Sequence, residues 1–257
     1  MGSRALEFAL KKLRGSGRLK NGLPAEDLSR IRRSIREGAV FSAKVGKAGI
    51  IESIRGLTER VLTKKITPEY AREALRKAVD REGYKAPPGK EGTIEDLSSD
   101  QRLNLIVRTN RDMARGYGRW ANAQRDLLNF PFWELYRAEQ RVEPRDWSAR
   151  WAEAGGEETD GQMLAPINSS IWLAISAFGN PYPPFDYNSG MSVRRVSRER
   201  VEDLELRIPD QRQKPIPDYD SSGVDLPKDN RVAAQLMRDL GSGYAVQNGK
   251  IVRAGPP

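Results

Sequence analysis

Four arginines recur at steps of three and four residues between Asp100 and Leu128. They are Arg108, Arg111, Arg115 and Arg119. Apolar residues recur with the same period on another side of this segment, which predicts one long amphipathic helix over 100–128 with a buried face. A row of guanidiniums needs a negatively charged neighbour. That neighbour is either a set of acidic side chains of the same fold or phosphate.

A second group of polar and aromatic residues follows in the proline-rich segment 180–190, NPYPPFDYNSG. We favour a structural interpretation, in which Asn110 donates a hydrogen bond to the backbone of this segment while an arginine pairs with Asp186. A buried amide without a partner costs roughly 1–3 kcal/mol, so Asn110 must find one. The alternative is a phosphodiester- or nucleotide-processing site that uses Arg108, Arg119, Glu134 and Asp186.

Neither cysteine nor histidine occurs in the chain. Disulfides, thiolate and imidazole metal sites, and catalysis by a Cys or His base are therefore excluded. One aspartate beside arginines supplies neither a metal cage nor a convincing general base for phosphodiester cleavage. We therefore expect no catalytic residue, no metal and no cofactor.

Positive charge is concentrated at the start of the chain. Residues 1–90 hold 22 Lys and Arg against 10 Asp and Glu, whereas the remaining residues hold 22 against 25. The residues expected to contact phosphate or an acidic surface are Lys11, Lys12, Arg14, Arg18, Lys20, Arg32, Arg33 and Arg36. They contain no motif for reading bases, so binding to double-stranded DNA would be non-specific, electrostatic and sensitive to salt. The alternatives are docking on an acidic protein surface and a set of solvated basic helices.

The periodicity predicts a chain that is α+β but mainly α. Helices are expected over 3–14, 24–38, 43–63, 68–83 with Thr67 as its cap, 100–128, 169–179, 197–205 and 229–240. A loop is expected at 85–93, a helical turn around Trp147 and Trp151, and an exposed loop from there to 161. Strands 132–138 and 192–196 should pair, and Asn248-Gly249 predicts a hairpin.

This pattern divides the chain into three parts. We expect a basic helical arm over 1–40, a compact body of helices and a small antiparallel sheet over 41–206, and an extended tail over 207–257. In the tail, 207–229 is rich in Pro and Asp and is predicted to be a linker. The five tryptophans could be base-stacking platforms, but their core-facing positions favour packing. No membrane span or signal peptide is expected.

The order of these motifs resembles a known family. IVRTNRDMARGYGRW (106–120), FPFWELYRA (130–138), EPRDW (143–147) and SSIWLAISAFGNPYPPFDYNSGMSVRRV (169–196) are similar to the head morphogenesis domain of phage Mu F-like minor capsid proteins. The resemblance covers about residues 40–200. Many members carry a Cys-x-Cys after the Pro-Pro loop and a His near the Arg-Pro corner. Gly190–Val193 and Asp146 or Trp147 stand at those places here, so no metal or thiol role is carried over.

The resemblance implies a non-enzymatic structural protein of a tailed-phage head, assembled in the host cytoplasm and retained in the virion. Its partners would be portal and capsid proteins and, in some relatives, the genome; a plain DNA-binding accessory protein is a further alternative. The motif positions are Arg108, Thr109, Asn110, Arg119, Trp133, Tyr182, Pro183, Pro184, Asp186 and Asn188.

Overall fold

A computed structural model describes residues 3–15, 48–215, 224–225, 244–247 and 250–253. The described residues are mainly helical with a small antiparallel sheet, which confirms the predicted fold class. They fall into two compact units, one within Met1–Ala9 and Arg115–Pro217 and one within Leu10–Ala114 and Asp218–Pro257. We call these the 115–217 unit and the 10–114 unit. The predicted domain boundaries stay predictions, since the first lies outside the described residues.

The 10–114 unit is built on α2 (Ala48–Leu62), α3 (Pro68–Arg81) and the start of α4 (Asp100–Ala123). Thr67 caps α3 as predicted, because its hydroxyl accepts from the Tyr70 amide at 3.2 Å and proline holds the first helical position. The apolar faces of the three helices form one core that includes Ile50, Leu75 and Leu103.

The same unit contains a second, three-stranded sheet in the order β5-β7-β6. Its β6 (Tyr244–Gln247) and β7 (Lys250–Arg253) are antiparallel, which confirms the hairpin predicted from Asn248-Gly249. β5 (Val224–Asp225) pairs with β7, although the sequence predicted an extended linker over 207–229. Two residues are too few to show the period-two pattern of a strand, so this strand is recognised only by its pairing with β7. The helices predicted at 24–38 and 229–240 lie outside the described residues.

The 115–217 unit contains the four-stranded sheet, in the order β2-β3-β1-β4. β1 (Phe132–Arg137) and β4 (Met191–Val196) pair antiparallel as predicted, with Phe132 opposite Val196. The exposed loop predicted up to 161 is wrong in part. β2 (Glu158–Thr159) and β3 (Gln162–Pro166) form a hairpin there, and Asp160 and Gly161 turn it with φ of 53° and 68°. Asp-Gly is a preferred pair for such a turn, so the signal was present in the sequence.

Short helices lie between the strands of this unit and after the last of them. They are α5 (Trp147–Glu153), α6 (Ile171–Ala174) and α7 (Arg198–Asp203). α6 is a single turn and not the helix predicted over 169–179, because the Ala177 amide donates to the Phe185 carbonyl at 2.8 Å and diverts the chain. α4 ends at Ala123, five residues before the predicted end, where the Asn122 and Ala123 carbonyls accept from amides three residues on.

The N-terminal helix α1 runs from Ser3 to Gly15, close to the predicted 3–14. Ala5 and Ala9 are buried and pack at Gly118 of α4, where an added Cβ would lie 2.0 Å from the Ala5 carbonyl oxygen. Among the described helices, none is long and apolar enough to cross a lipid bilayer.

Candidate functional site

The proline-rich segment 180–190 belongs to the 115–217 unit, and we call it the bend. Tyr182 and Phe185 are buried, and the peptide bond between Pro183 and Pro184 is cis. Asn180, also buried, donates through Nδ2 to the carbonyl of Tyr182 and to that of Pro184 at 3.4 Å. This amide ties the two ends of the Tyr-Pro-Pro sequence together. The bend is therefore ordered, as its prolines and aromatic residues predicted.

Helix α4 contacts the bend through Gly116 and the residues that follow it. A Cβ added at Gly116 would lie 1.6 Å from the Pro183 carbonyl oxygen and 3.1 Å from Tyr182 Cδ2. The Tyr117 and Trp120 rings lie 5.8 Å and 6.0 Å from the ring of Tyr182. Only a residue without a side chain permits this approach. A glycine in the middle of a long helix is a signal that such a contact exists, although it does not name the partner.

Asn110 lies in the 10–114 unit and is buried, as is its neighbour Thr109. Its Nδ2 donates to the Ile106 carbonyl of the same helix at 2.9 Å. That bond satisfies part of the requirement that a buried amide be paired. The predicted hydrogen bond from Asn110 to the bend stays a prediction.

The arginine row has acidic and polar neighbours within the fold. Arg108 Nε lies 3.7 Å from a carboxylate oxygen of Asp112, and Arg111 Nε lies 2.8 Å from the other oxygen of that carboxylate. The exposed Arg119 donates to the Ser192 hydroxyl at 3.5 Å. The sequence left two candidates for the negatively charged neighbour of the arginine row, acidic side chains of the fold or phosphate. For Arg108 and Arg111 an acidic side chain of the fold, Asp112, takes that place.

Asp186 pairs with an arginine, as predicted, but the arginine comes from α5. Arg150 Nη1 lies 3.0 Å from Asp186 Oδ2, and its guanidinium lies 4.8 Å from the centre of the Trp147 ring. Arg145 is 3.7 Å from the same carboxylate and donates to the Tyr187 carbonyl at 2.9 Å. The carboxylate also accepts from the Tyr187 amide. It is held as part of the scaffold.

Two further residues attach the far end of the bend. Arg141 Nε donates to the Asn188 carbonyl at 3.0 Å. Asn188 has a φ of 49°, in the left-handed region that asparagine tolerates better than most residues. The basic residues around the Pro-Arg corner therefore hold backbone carbonyls of the bend, a role that their positions in the sequence did not predict.

Glu134 is buried in β1 and is bound by two nitrogens of one guanidinium. Arg194 Nε and Nη2, on the neighbouring strand β4, donate to its two oxygens at 2.6 Å and 2.5 Å. This hydrogen bonding with Glu134 raises the pKa of Arg194 above its usual range. Both carboxylates of the alternative enzymatic interpretation, Glu134 and Asp186, are thus engaged by arginines that the interpretation did not include.

The tryptophans pack in the core, which confirms that prediction. All five are buried: Trp120, Trp133, Trp147, Trp151 and Trp172. The Trp172 ring lies 5.7 Å from Trp133, 5.4 Å from Trp151 and 5.9 Å from Phe185, where it is stacked. Such contacts add about 0.5–1.5 kcal/mol each beyond area burial, and none of these indole faces is free to stack on a base.

The basic residues predicted to contact phosphate or an acidic surface lie in the first 40 positions, outside the described side chains. Lys11, Lys12 and Arg14 lie on α1, but their side chains are outside the described residues. Arg18, Lys20, Arg32, Arg33 and Arg36 lie outside them altogether. Their contact with phosphate or with an acidic surface stays a prediction. Among the side chains that are described, no three acidic residues come together in an arrangement that could hold a metal ion.

Comparison of the chain with protein-family models, with curated proteins and with solved structures found no match.

Proposed function

We propose that this protein is a structural component of a tailed-phage head, a minor capsid or head-morphogenesis protein that docks on portal and capsid proteins. The proposal starts from the ordered motifs between residues 106 and 196, which resemble the Mu F-like family. The observation that supports it most is that motif residues of the 115–217 unit take part in packing and in hydrogen bonds within the fold. Their aromatic rings are buried, and the two candidate catalytic carboxylates bind arginines.

This use of residues favours scaffolding over chemistry. A general base must lie within hydrogen-bond reach of a proton on the substrate, and a carboxylate whose two oxygens already accept hydrogen bonds from one guanidinium is not positioned for that. Glu134 is in that state, and Asp186 is bound by Arg150 and by the Tyr187 amide. The same contacts tie the bend and the sheet in place. A module that must fit its neighbours in an assembly requires such a fixed shape.

In the proposed mechanism the 115–217 unit is the rigid module. The basic residues of the first 40 positions would meet an acidic capsid or portal surface, or DNA during packaging, through charge attraction that falls with salt. The C-terminal segment 218–257 would add a further contact with a neighbouring subunit.

Mass spectrometry of purified heads tests the proposal. The gene is deleted from a phage that encodes this chain, and the chain is supplied from a plasmid. Heads are then separated from soluble protein by density gradient and digested. Peptides of this chain should co-purify with the major capsid protein, and Gly56→Ala, whose site has open space, should be incorporated equally. Heads rich in capsid peptides but free of this chain would contradict a structural role.

An assay for turnover tests the enzymatic alternative directly. The purified chain is incubated with DNA, RNA and nucleotides, with and without divalent metal, beside the Asp186→Asn and Glu134→Gln variants. The proposal expects no turnover in any arm. Activity that is present in the wild-type chain and disappears in either variant would replace it with an enzyme.

A further inference from the structure

Leu128 is a large apolar residue that the fold leaves in solvent. The sequence pattern placed it at the end of a helix over 100–128, yet it is 78 % exposed. Because α4 ends at Ala123, residues 124–130 form a turn that buries Leu127 and exposes Leu128. A single exposed leucine is common on protein surfaces, so its surroundings decide whether it marks an interface.

The turn that carries Leu128 is held in place by hydrogen bonds from two directions. The Asp126 carboxylate accepts from the Asn129 side-chain amide at 2.8 Å and from Arg195 Nη1 at 3.0 Å. Arg198 donates through Nε to the Leu128 carbonyl at 2.6 Å and through its backbone N–H to the Asn129 carbonyl at 2.8 Å. A side chain presented from backbone that is already ordered loses little further conformational freedom on binding.

Two half-buried phenylalanines with stacked guanidiniums belong to the same surface. The Arg195 guanidinium lies 4.1 Å from the centre of the Phe130 ring, and the Arg125 guanidinium lies 5.8 Å from that of Phe8 on α1. All of these residues belong to the 115–217 unit. We call Phe8, Arg125, Leu128, Phe130 and Arg195 the Leu128 patch. Aromatic residues and arginine are the types enriched in protein–protein interfaces.

The charges of the Leu128 patch indicate the chemistry of what would cover it. Arg195 has an acidic partner within the fold, since its Nη1 lies 3.0 Å from an Asp126 oxygen. Arg125 is exposed and, among the described residues, contacts the Phe8 ring but no acidic group. A guanidinium binds a carboxylate better than any neutral acceptor. The surface therefore fits a partner that offers a carboxylate beside an apolar pocket for Leu128.

We propose that the 115–217 unit docks on a neighbouring head protein through the Leu128 patch, with Leu128 in an apolar pocket of that protein and Arg125 on a carboxylate at the pocket rim. Leu128 is the anchor of this interface, and the stacked guanidiniums and rings around it exclude water. The inference rests on the proposed function and deepens it, because it names the surface that docks and the chemistry of its partner.

Two full-length variants with an added carboxylate test the anchor. Leu128→Asp and Val142→Asp are supplied from the plasmid to the phage that lacks the gene, and peptides of each are quantified against the major capsid protein in purified heads. Val142 is the matched control, since it is a fully exposed apolar residue of the same unit. Leu128→Asp should be incorporated about tenfold less than wild type, because a carboxylate cannot fill an apolar pocket. Val142→Asp should be incorporated like wild type.

A second pair of variants tests the charge. Arg125→Glu should also reduce incorporation, because it places a carboxylate against the carboxylate of the partner. Arg207→Glu changes another exposed arginine of the same unit by the same charge and should be incorporated like wild type. Circular dichroism checks that every variant is folded, and Leu128→Ser replaces Leu128→Asp if that variant is not.

The outcomes separate this inference from the proposed function. Heads that lack the wild-type chain contradict both. Heads that contain wild type and folded Leu128→Asp in equal amounts overturn only the inference, as does an equal loss of Leu128→Asp and Val142→Asp. A photo-crosslinker, p-benzoylphenylalanine, introduced at position 128 then identifies the partner in the head. A cross-link to an Asp- or Glu-containing peptide of another head protein supports the inference, and a cross-link to a second copy of this chain overturns it.

Discussion

Asp96 is a buried carboxylate that organises the connection between α3 and α4. One of its oxygens accepts from the Gly92 amide at 2.9 Å, and the other accepts from the amide and the hydroxyl of Ser98 at 2.8 Å and 2.6 Å. Burial by itself raises the pKa of this carboxyl, but the hydrogen bonds from Ser98 and Gly92 outweigh it and hold the pKa below its usual value. The charged form is therefore the one that the fold stabilises.

Asp96→Asn should lower the free energy of unfolding at neutral pH by about 1–3 kcal/mol. The reason is that an amide has one accepting oxygen and would turn an NH₂ group toward a donor. Because the folded pKa is depressed, the contribution of Asp96 is complete above its unfolded pKa of about 3.9 and is lost as pH falls through the folded pKa. Urea denaturation of both proteins at pH 7 and at pH 3 measures the difference, which should shrink at pH 3.

Glu91 is the control for this experiment, because it is an exposed acid of the same loop. Glu91→Gln should change the free energy of unfolding little at either pH. A destabilisation by Asp96→Asn that is equally large at pH 3 would show that the charge of Asp96 is not what matters.

At the scale of elements, the contact between α4 and the bend depends on the absence of a side chain at Gly116. The Pro183 carbonyl oxygen occupies the place of a Cβ, and this oxygen belongs to backbone that Asn180 holds through its neighbours. Gly118, half a turn on, makes the same kind of approach to Ala5 and Ala9. Helix α4 therefore packs closely on the bend through Gly116 and on α1 through Gly118, although glycine in the middle of a helix lowers the stability of that helix.

Gly116→Ala should destabilise the protein by about 1–3 kcal/mol, because the new methyl group overlaps backbone atoms and either the helix or the bend must shift. Gly56→Ala is the matched control in the middle of α2, where an added Cβ meets nothing within 4 Å. It should stabilise by about 1 kcal/mol through helix propensity. Denaturation followed by circular dichroism measures both, and a stabilising Gly116→Ala would mean that α4 and the bend are farther apart.

At the scale of the whole molecule, charge separates the start of the chain from the rest. The net charge of +9 comes from the first 90 residues, which carry 22 basic against 10 acidic residues. In the described 115–217 unit, by contrast, arginines such as Arg150, Arg194 and Arg195 have acidic partners. Non-specific attraction to DNA, if it occurs, should therefore depend on the first residues of the chain and not on the sheet.

Replacing Lys11, Lys12 and Lys20 by glutamine should weaken binding to double-stranded DNA and reduce the dependence of the affinity on salt. Each phosphate contact that is lost lowers the slope of log affinity against log salt by about 0.9. Fluorescence anisotropy over a salt series measures both quantities. The control is Lys64, Lys65 and Lys77 replaced by glutamine, three exposed lysines that give the same net charge. Equal losses in the two variants would mean that only net charge matters.

The sequence by itself determined what depends on residues close together in the chain. Thr67 and Pro68 begin a helix because capping involves the next three residues. Asn248-Gly249 predicted the pairing of β6 with β7 because a hairpin signal of this kind needs only two residues. The alternation in 132–138 indicated a strand that pairs with 192–196, and the helical and strand periods assigned the tryptophans to the core. Asp160-Gly161 carried a signal of the same kind that the prediction overlooked.

Only the tertiary structure decided which distant groups meet. Asp186 needed an arginine, and Arg150 rather than one on α4 provides it, because a guanidinium pairs with whatever carboxylate the fold brings near. Helix α6 stops after one turn because the Phe185 carbonyl, eleven residues beyond the last helical residue Ala174, accepts a hydrogen bond from the Ala177 amide. Residues 207–215 have no apolar periodicity of the kind that predicts a helix or a strand, and their position depends on hydrogen bonds with Gln124 and Asn168. Hydrogen bonds between residues far apart in sequence leave no local pattern, so their partners are defined by the folded chain.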